Sequence, residues 1–303
     1  MLLGGVRVLD VSRLLPGGYC TLLLQQHGAH VIKVESPSGD PIRGLPGGDA
    51  FFDALHRDKE LLRLDLRTED GRRIFGQRVA EADVVVEGFR PGAMERLQLG
   101  YEALAAINPA LVYCAITGYG SAAKRADRAG HDLNYLAVSG ALSLMPRLNG
   151  IPAIPGLQVA DLAGGLQAAF LIAAALSQRE RSGRGVRLEV SMADLMRSWT
   201  ALPRAARRVG LGGLPLTGEV PCYHVYAVSD GLLTVAALEA DFWAEFCRAI
   251  DRDDLVGRQF DTSAIPEVQS VLASSSRAAW TQRFAGRDVC VEPVLSLEES
   301  ERD

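Results

Sequence analysis

The chain has 303 residues, 48% of them apolar and 23% charged, and carries a net charge of −5 at pH 7. That composition describes a folded globular chain with a sizeable core, and no basic excess advertises a nucleic acid or an anionic lipid surface. Cys20, Cys114, Cys222, Cys247 and Cys290 are scattered and form no CxxC pair, which argues against a disulfide framework and against a zinc or other metal site.

The N-terminus, MLLGGVRVLDVSRLL, lacks the early charge, long apolar core and cleavage site of a signal peptide. Residues 6–11, VRVLDV, predict a strand; Pro16-Gly17-Gly18 predicts a turn, CTLLLQQHG a helix ending at Gly28, and VIKVE (31–35) a second strand. This is a right-handed βαβ unit. Further strands are expected at 83–89, 111–116 and 186–192, each beside helical sequence. The alternation predicts an α/β fold with a mostly parallel, Rossmann-like sheet covered on both faces. Glu35 ends the second strand as a ribose-binding acid would, but GxGxxG is absent and Pro16 stands where amides would meet a pyrophosphate, so no NAD or FAD cofactor is expected.

The most informative segment is RAGHDLNYLAVSGAL, residues 128–142. His131 and Asp132 stand side by side at the start of an apolar, helix-like run. Histidine is the side chain whose ordinary pKa lies nearest neutrality, and Asp132 is read as the cap of its own helix, leaving the imidazole free. Asp161 opens a second apolar helix, AGGLQAAFLIAAAL. An aspartate there is either a plain N-cap or a functional acid. The Gly164-Gly165 pair in that turn allows close approach of a ligand or of another backbone. The longest uninterrupted apolar run, Ala168 to Leu176, is too short to cross a bilayer, so a cytoplasmic protein without membrane contact is expected.

Around residue 200 the texture changes to Gly, Pro and Arg. The expected organisation is a large domain at 1–199, a crossing linker at 200–221 and a small α+β domain at 222–303. In the small domain Asp230-Gly231 predicts a hairpin turn, and Glu239 ends the second hairpin strand just before a helix.

Several segments, in order, resemble the class III CoA-transferase (CaiB/BaiF-type) superfamily, and within it the α-methylacyl-CoA racemase branch: HGAHVIKVESPSGD, HRDKELLRLDLR, VVVEGFRPGAMERLQLG, TGYG (117–120), GHDLNY, VADLAGG, SGRGVRLEVSMAD and VAALEADFW. The resemblance implies an interlocked homodimer acting on acyl-CoA thioesters, with coenzyme A entering as part of the substrate and no separate cofactor. It implies that His131 and Asp161 are the catalytic pair and that Glu239 supports the imidazole. It implies further that Lys33, Leu64, Asp65, Leu66, Arg67, Gly130, Asp132, Leu133, Asn134 and Tyr135 line the CoA moiety and that Arg90 meets its phosphates.

The implied reaction is racemisation of a 2-methylacyl-CoA by proton transfer at the α-carbon. A CoA-transferase working through an Asp161 thioester and a silent acyl-CoA-binding paralogue are the alternatives. This sequence departs from the branch at Ser36, which replaces an arginine, and at Glu219 and Cys222. His56 stands where transferases often have asparagine. These changes point to altered acyl specificity or to a paralogue with drifted activity. The return segment that usually follows VEPVLSLEE is largely missing before Asp303.

Overall fold

The protein is described as a computed structural model covering residues 1–211 and 216–302. It divides into two compact units, Met1–Ala201 and Leu202–Asp303.

The first unit runs β1 (Arg7–Asp10), α1 (Leu14–Gln26), β2 (His30–Glu35), α2 (Gly48–His56), β3 (Glu60–Arg63), α3 (Glu69–Val79), β4 (Val84–Glu87), α4 (Ala93–Arg96), α5 (Tyr101–Ile107), β5 (Val112–Thr117) and α6 (Asp132–Ser139). A short ribbon, β6 (Arg147–Leu148) with β7 (Ile151–Pro152), precedes α7 (Val159–Ser182), β8 (Val186–Ser191) and α8 (Met192–Trp199). Six strands form one parallel sheet in the order β3-β2-β1-β4-β5-β8. The expected α/β architecture is therefore present, with one strand more than the sequence reading placed. That strand, β3, lies at the sheet edge and carries the half-polar sequence ELLR, which offers no apolar run to recognise.

Alternate residues of each strand serve opposite faces. Val8, Val31, Val84, Val86, Val112, Cys114 and Ile116 pack on one side with the small residues of α7. Leu9, Ile32, Val34, Val85 and Tyr113 pack on the other with Phe75 and Val79 of α3 and Leu104 of α5.

Two local expectations are corrected, and a third, which left backbone or ligand open, is narrowed to backbone. Pro16-Gly17-Gly18 is not a turn but lies in the opening turns of α1, where proline removes no needed amide. The glycines are there for clearance: a Cβ on Gly17 would fall 2.1 Å from the Ser12 side chain. Secondly, α7 has 24 residues and is long and apolar enough, by length and composition, to cross a membrane, unlike the shorter run read from sequence. Here it is a core helix, burying Ala160, Ala163, Ala168, Ile172 and Leu176. Thirdly, Gly165 admits backbone rather than ligand, since a Cβ there would meet the Pro16 carbonyl oxygen at 2.5 Å. That close approach seats the start of α1 on the start of α7.

The second unit opens with α9 (Ala201–Arg208), within the segment read as a linker; residues 212–215 of that segment lie outside the described residues. Then come β9 (Tyr223–Val228), β10 (Gly231–Ala236), α10 (Ala240–Ala249), α11 (Ile265–Leu272), α12 (Arg277–Phe284), β11 (Val291–Pro293) and α13 (Leu297–Ser300). The sheet is antiparallel, β11-β10-β9, and the hairpin turns at Ser229-Asp230 as the sequence indicates. Its core is aromatic: Trp243 donates to the Leu255 carbonyl at 3.0 Å, Trp280 to that of Leu272 at 2.8 Å, and Phe246 and Phe284 lie with them.

Candidate active site

In a doubly wound sheet, ligands bind beyond the carboxyl ends of the strands, where the strand order reverses. Here the reversal falls between β1 and β4. Two cavities open there. One, of about 180 Å³, lies off β1, β2 and β3 and is lined by Ser12, Glu35, Ser36 and Asp40 together with Leu64, Asp65, Leu66 and Arg67. The other, of about 270 Å³, is lined by the first turn of α1, the loop Gly88–Pro91, the end of β5, the segment Ala126–His131, Tyr135 and Asp161. Arg13 and Phe89 border both, with the Arg13 guanidinium 4.6 Å from the centre of the Phe89 ring.

His131 and Asp161 thus face one cavity. His131 is the N-cap of α6, and its amide donates to Asn134 Oδ1 at 3.0 Å. The loop reaching it is held by two tyrosines. Tyr135 donates to the Gly130 carbonyl at 2.5 Å and meets Tyr119 edge-on at 5.1 Å. A Cβ on Gly118 would fall 2.4 Å from the Tyr135 ring, and one on Gly130 2.5 Å from the Tyr119 hydroxyl. The glycines of TGYG and GHDLNY are therefore needed for packing around these rings. Burial, with Asp161, Tyr119 and Asp132 adding to it, pushes the Tyr135 phenol up to about 12, so it stays a donor.

Asp132 does not cap its own helix. Its Oδ1 accepts from the amides of Ala160 at 2.6 Å and Asp161 at 3.1 Å, capping α7 instead. The α7 amides are spent on Asp132, so Asp161 lacks the stabilisation a helix start gives an anion. No donor reaches the Asp161 carboxyl among the described residues. Burial first, and then the Asp132 charge, push it up to about 7.

The remaining sequence candidates divide. Leu64, Asp65, Leu66 and Arg67 line the first cavity, with Arg67 paired to Asp65 at 2.8 Å; Arg90, Gly130 and Tyr135 line the second. Leu133 is an exposed residue of the first turn of α6. Lys33 is only 1% exposed, and its ammonium is taken by the Ser12 carbonyl at 2.6 Å, Asp40 at 3.2 Å and Asp10 at 3.6 Å, so it serves the framework under the cavities. Glu239 is the exposed N-cap residue of α10 in the second unit, with no side-chain cap bond.

Sequence reasoning missed three contributors. Arg13 and Arg128 line the cavity that holds His131 and Asp161. Glu87, at the end of β4, accepts from the Phe89 amide at 2.7 Å and from the Tyr113 hydroxyl at 3.3 Å, fixing the loop Gly88–Pro91. An isolated acid at a strand's carboxyl end was the available signal for Glu87.

The family described as CoA-transferase family III matches residues 3–303. The α-methylacyl-CoA racemase of Mus musculus is 36% identical over 312 residues, covering 99% of this chain and 79% of the racemase. The succinyl-CoA:mesaconate CoA-transferase of Haloarcula hispanica is 35% identical, covering 84% and 68%. The crystal structure of a CAIB/BAIF family protein from Brucella suis superposes with a TM-score of 0.86 at 28% identity, covering 99% of this chain and 86% of that one. The chain belongs to CoA-transferase family III.

Proposed function

We propose that the protein racemises or epimerises 2-methylacyl-CoA thioesters by moving a proton at the α-carbon. The observation that carries this reading is that an imidazole, His131, and a carboxyl group held near pH 7, Asp161, line one cavity. A carboxyl of ordinary pKa is a poor acid at neutral pH; one raised to about 7 exists in both forms there. In one direction neutral His131 removes the α-proton and protonated Asp161 returns one to the opposite face. In the other direction imidazolium and carboxylate exchange roles. A positioned acid or base is worth about 10²–10⁴-fold, and the enolate oxygen needs further stabilisation. The amides of Asp132 and Leu133, which open α6 beside His131 and have no acceptor among the described residues, are placed to provide it. The 34–36% identity to two mammalian α-methylacyl-CoA racemases supports the same reading.

A second reading rests on relatives named as transferases: the succinyl-CoA:mesaconate enzyme and a succinyl-CoA:glutarate CoA-transferase of Mus musculus at 30% identity. In that reading ionised Asp161 attacks the thioester carbonyl and expels the CoA thiolate, forming a mixed anhydride. The thiolate then attacks the Asp161 carbonyl, releasing the first acid and leaving an aspartyl-CoA thioester for an acceptor carboxylate to attack.

Incubation of a 2-methylacyl-CoA in deuterated water separates the readings. Deuterium entering the α-position with no acceptor acid present supports racemisation. CoA exchange that requires an acceptor and leaves the α-hydrogen in place supports transfer. Neither reaction, with acyl-CoA still bound, identifies a silent binding protein. Glu239→Gln in the same assay tests the supporting role proposed for that carboxylate.

A further inference from the structure

Among the described residues other than glycine, Leu14, Gln98, Asn149, Asp251 and Cys290 have a left-handed φ. Of these, Leu14, at φ +61°, lines the cavity that holds His131 and Asp161. The left-handed region presses the Cβ of a leucine against its own backbone, and such a residue persists only where its surroundings hold it.

The surroundings of Leu14 are supplied by Asp40. Its Oδ1 accepts from the Leu14 amide at 3.3 Å and from the Ile42 amide at 3.0 Å, and its Oδ2 lies 3.2 Å from Lys33 Nζ. Asp40 is buried, and its own amide donates to Glu35 Oε1 at 3.0 Å, so the carboxylate that holds Leu14 is itself held. The Leu14 side chain packs with Ile42, Phe52 and Leu55, which follow Asp40 in the chain. One residue earlier, the Ser12 carbonyl accepts from Lys33 at 2.6 Å, and the Ser12 amide and hydroxyl donate to Asp10 Oδ1 at 3.0 and 2.5 Å. Arg13 therefore stands between two residues that are each tied to a buried charge.

Arg13 itself is exposed, and its guanidinium lies 4.6 Å from the centre of the Phe89 ring. Both side chains border both cavities, and Arg13 has no ion-pair partner among the described residues. A ligand that occupies both cavities passes this guanidinium. Turning Leu14 to a negative φ rotates the chain between Arg13 and α1, which carries Arg13 off Phe89.

We propose that Asp40 is a positioning residue for coenzyme A binding: it keeps Leu14 left-handed, so that Arg13 stays on Phe89 at the junction of the two cavities and meets a phosphate of CoA. The inference rests on the acyl-CoA reading of the site and deepens it. A guanidinium binds phosphate through parallel N–H donors, so its worth depends on direction as well as charge. In this role Asp40 acts through Arg13.

The test is a cycle of CoA dissociation constants, measured by titration calorimetry for wild type, Asp40→Ala, Arg13→Ala and the double variant. Thermal melts establish that each is folded at the temperature of titration. Asp40→Ala should weaken CoA by about 10-fold in the wild-type background and by little in the Arg13→Ala background. Asp40→Asn, which keeps an oxygen for the Leu14 amide but loses the charge facing Lys33, should recover most of that affinity even though it melts lower than wild type. Equal losses in the two backgrounds overturn the proposal, because Asp40 would then act on the fold as a whole.

A second pair of variants leaves the buried charges untouched and decides the matter if Asp40→Ala does not fold. Leu14→Pro forbids a positive φ and removes the amide that Asp40 accepts from, whereas Leu14→Gly adopts the left-handed region freely. Leu14→Gly should bind CoA about 10-fold more tightly than Leu14→Pro. Equal affinities overturn the proposal. Wild-type protein that does not bind CoA overturns the acyl-CoA reading and this inference with it, while CoA binding without coupling between Asp40 and Arg13 overturns the inference alone.

Discussion

Asp132 caps the helix that carries Asp161, accepting from the Ala160 and Asp161 amides through one oxygen. Two carboxyls thus share one helix start, and only the first receives its donors. Burial, joined by the Asp132 charge, keeps Asp161 protonated up to about pH 7. The adjacent pair His131-Asp132 therefore has two separate placements, one residue lining the cavity with Asp161 and the other setting the protonation of a group 29 positions later.

Asp132→Asn keeps an oxygen for the α7 amides but removes the charge. The Asp161 pKa should fall towards the ordinary carboxylate range, with burial still holding it above. In the direction where Asp161 is the acid, kcat/KM declines above the Asp161 pKa, so that limb should move to lower pH in the variant. A pH–rate profile of α-deuterium exchange measures it. An unmoved limb means Asp132 has no electrostatic hold on the acid.

Asp161→Asn should lower exchange by at least about 10²–10⁴-fold while making the protein more stable. The sign follows from linkage. The folded-state pKa of about 7 is above the ordinary value of 3.8, so the native state binds more protons than the unfolded one between those values. Wild-type stability therefore falls as pH rises from about 4 to about 7, by something on the order of 2–4 kcal/mol for this partly buried group. The asparagine variant lacks that fall. Melts at pH 4 and pH 8 should show its advantage growing with pH, small at the lower value and full at the higher.

His131 and Asp161 were legible because each stands beside a glycine-marked helix start, and such starts are local features of sequence. The parallel sheet was legible for the same reason: its central strands are continuous apolar runs, as strands buried on both faces must be. Edge strand β3 was not, because ELLR has no such run. Nor was the capping of α7 by Asp132, or the burial of Lys33 against Asp10 and Asp40. A lysine in a strand looks like a cation facing a ligand until the fold shows which carboxylates are packed against it. Pairings between distant segments are what a single sequence carries least visibly.

The cluster around Asp10 gives a stability prediction. Asp10 accepts from Ser12 and Thr21 and lies 3.6 Å from both Lys33 and Lys59, all of them buried. Burial alone would raise its pKa, but the two ammonium groups hold it far below the usual carboxylate range. Lys59 also reaches the Gly18 carbonyl at 3.0 Å and His56 Nδ1 at 3.0 Å, so the cluster ties α2 to α1 beneath the cavities. Burial, then Lys59 and Lys33, push His56 down to about 3, which keeps it neutral. Asp10→Asn leaves Lys33 with Asp40 alone and Lys59 with no carboxylate partner among the described residues, and should cost about 3–5 kcal/mol. Because the Asp10 pKa is depressed, its contribution is complete above about pH 4 and fades below it. Chemical denaturation at pH 7 should show the full loss, and the gap to wild type should narrow in acid.

Glu87→Gln tests another buried acid, and the expected effect has the opposite sign. Burial pushes Glu87 up to about 7 despite the bonds from the Phe89 amide and Tyr113; Glu95 adds to the rise and Arg187 opposes it. Its ordinary value is 4.5, so the native state holds the extra proton between about pH 4.5 and 7, and the protein loses stability as pH rises through that range. Glutamine keeps an oxygen for the Phe89 amide and carries no charge to desolvate. At pH 8 the variant should exceed wild type by roughly 2–3 kcal/mol, and at pH 5 the two should be close. The loop Gly88–Pro91 keeps its anchor in the variant, so the KM for acyl-CoA should change little. Glu87→Ala, which removes the acceptor, should raise KM because Phe89 and Arg90 lose their support. If the alanine and glutamine variants show the same KM, the bond to the Phe89 amide does not position the loop.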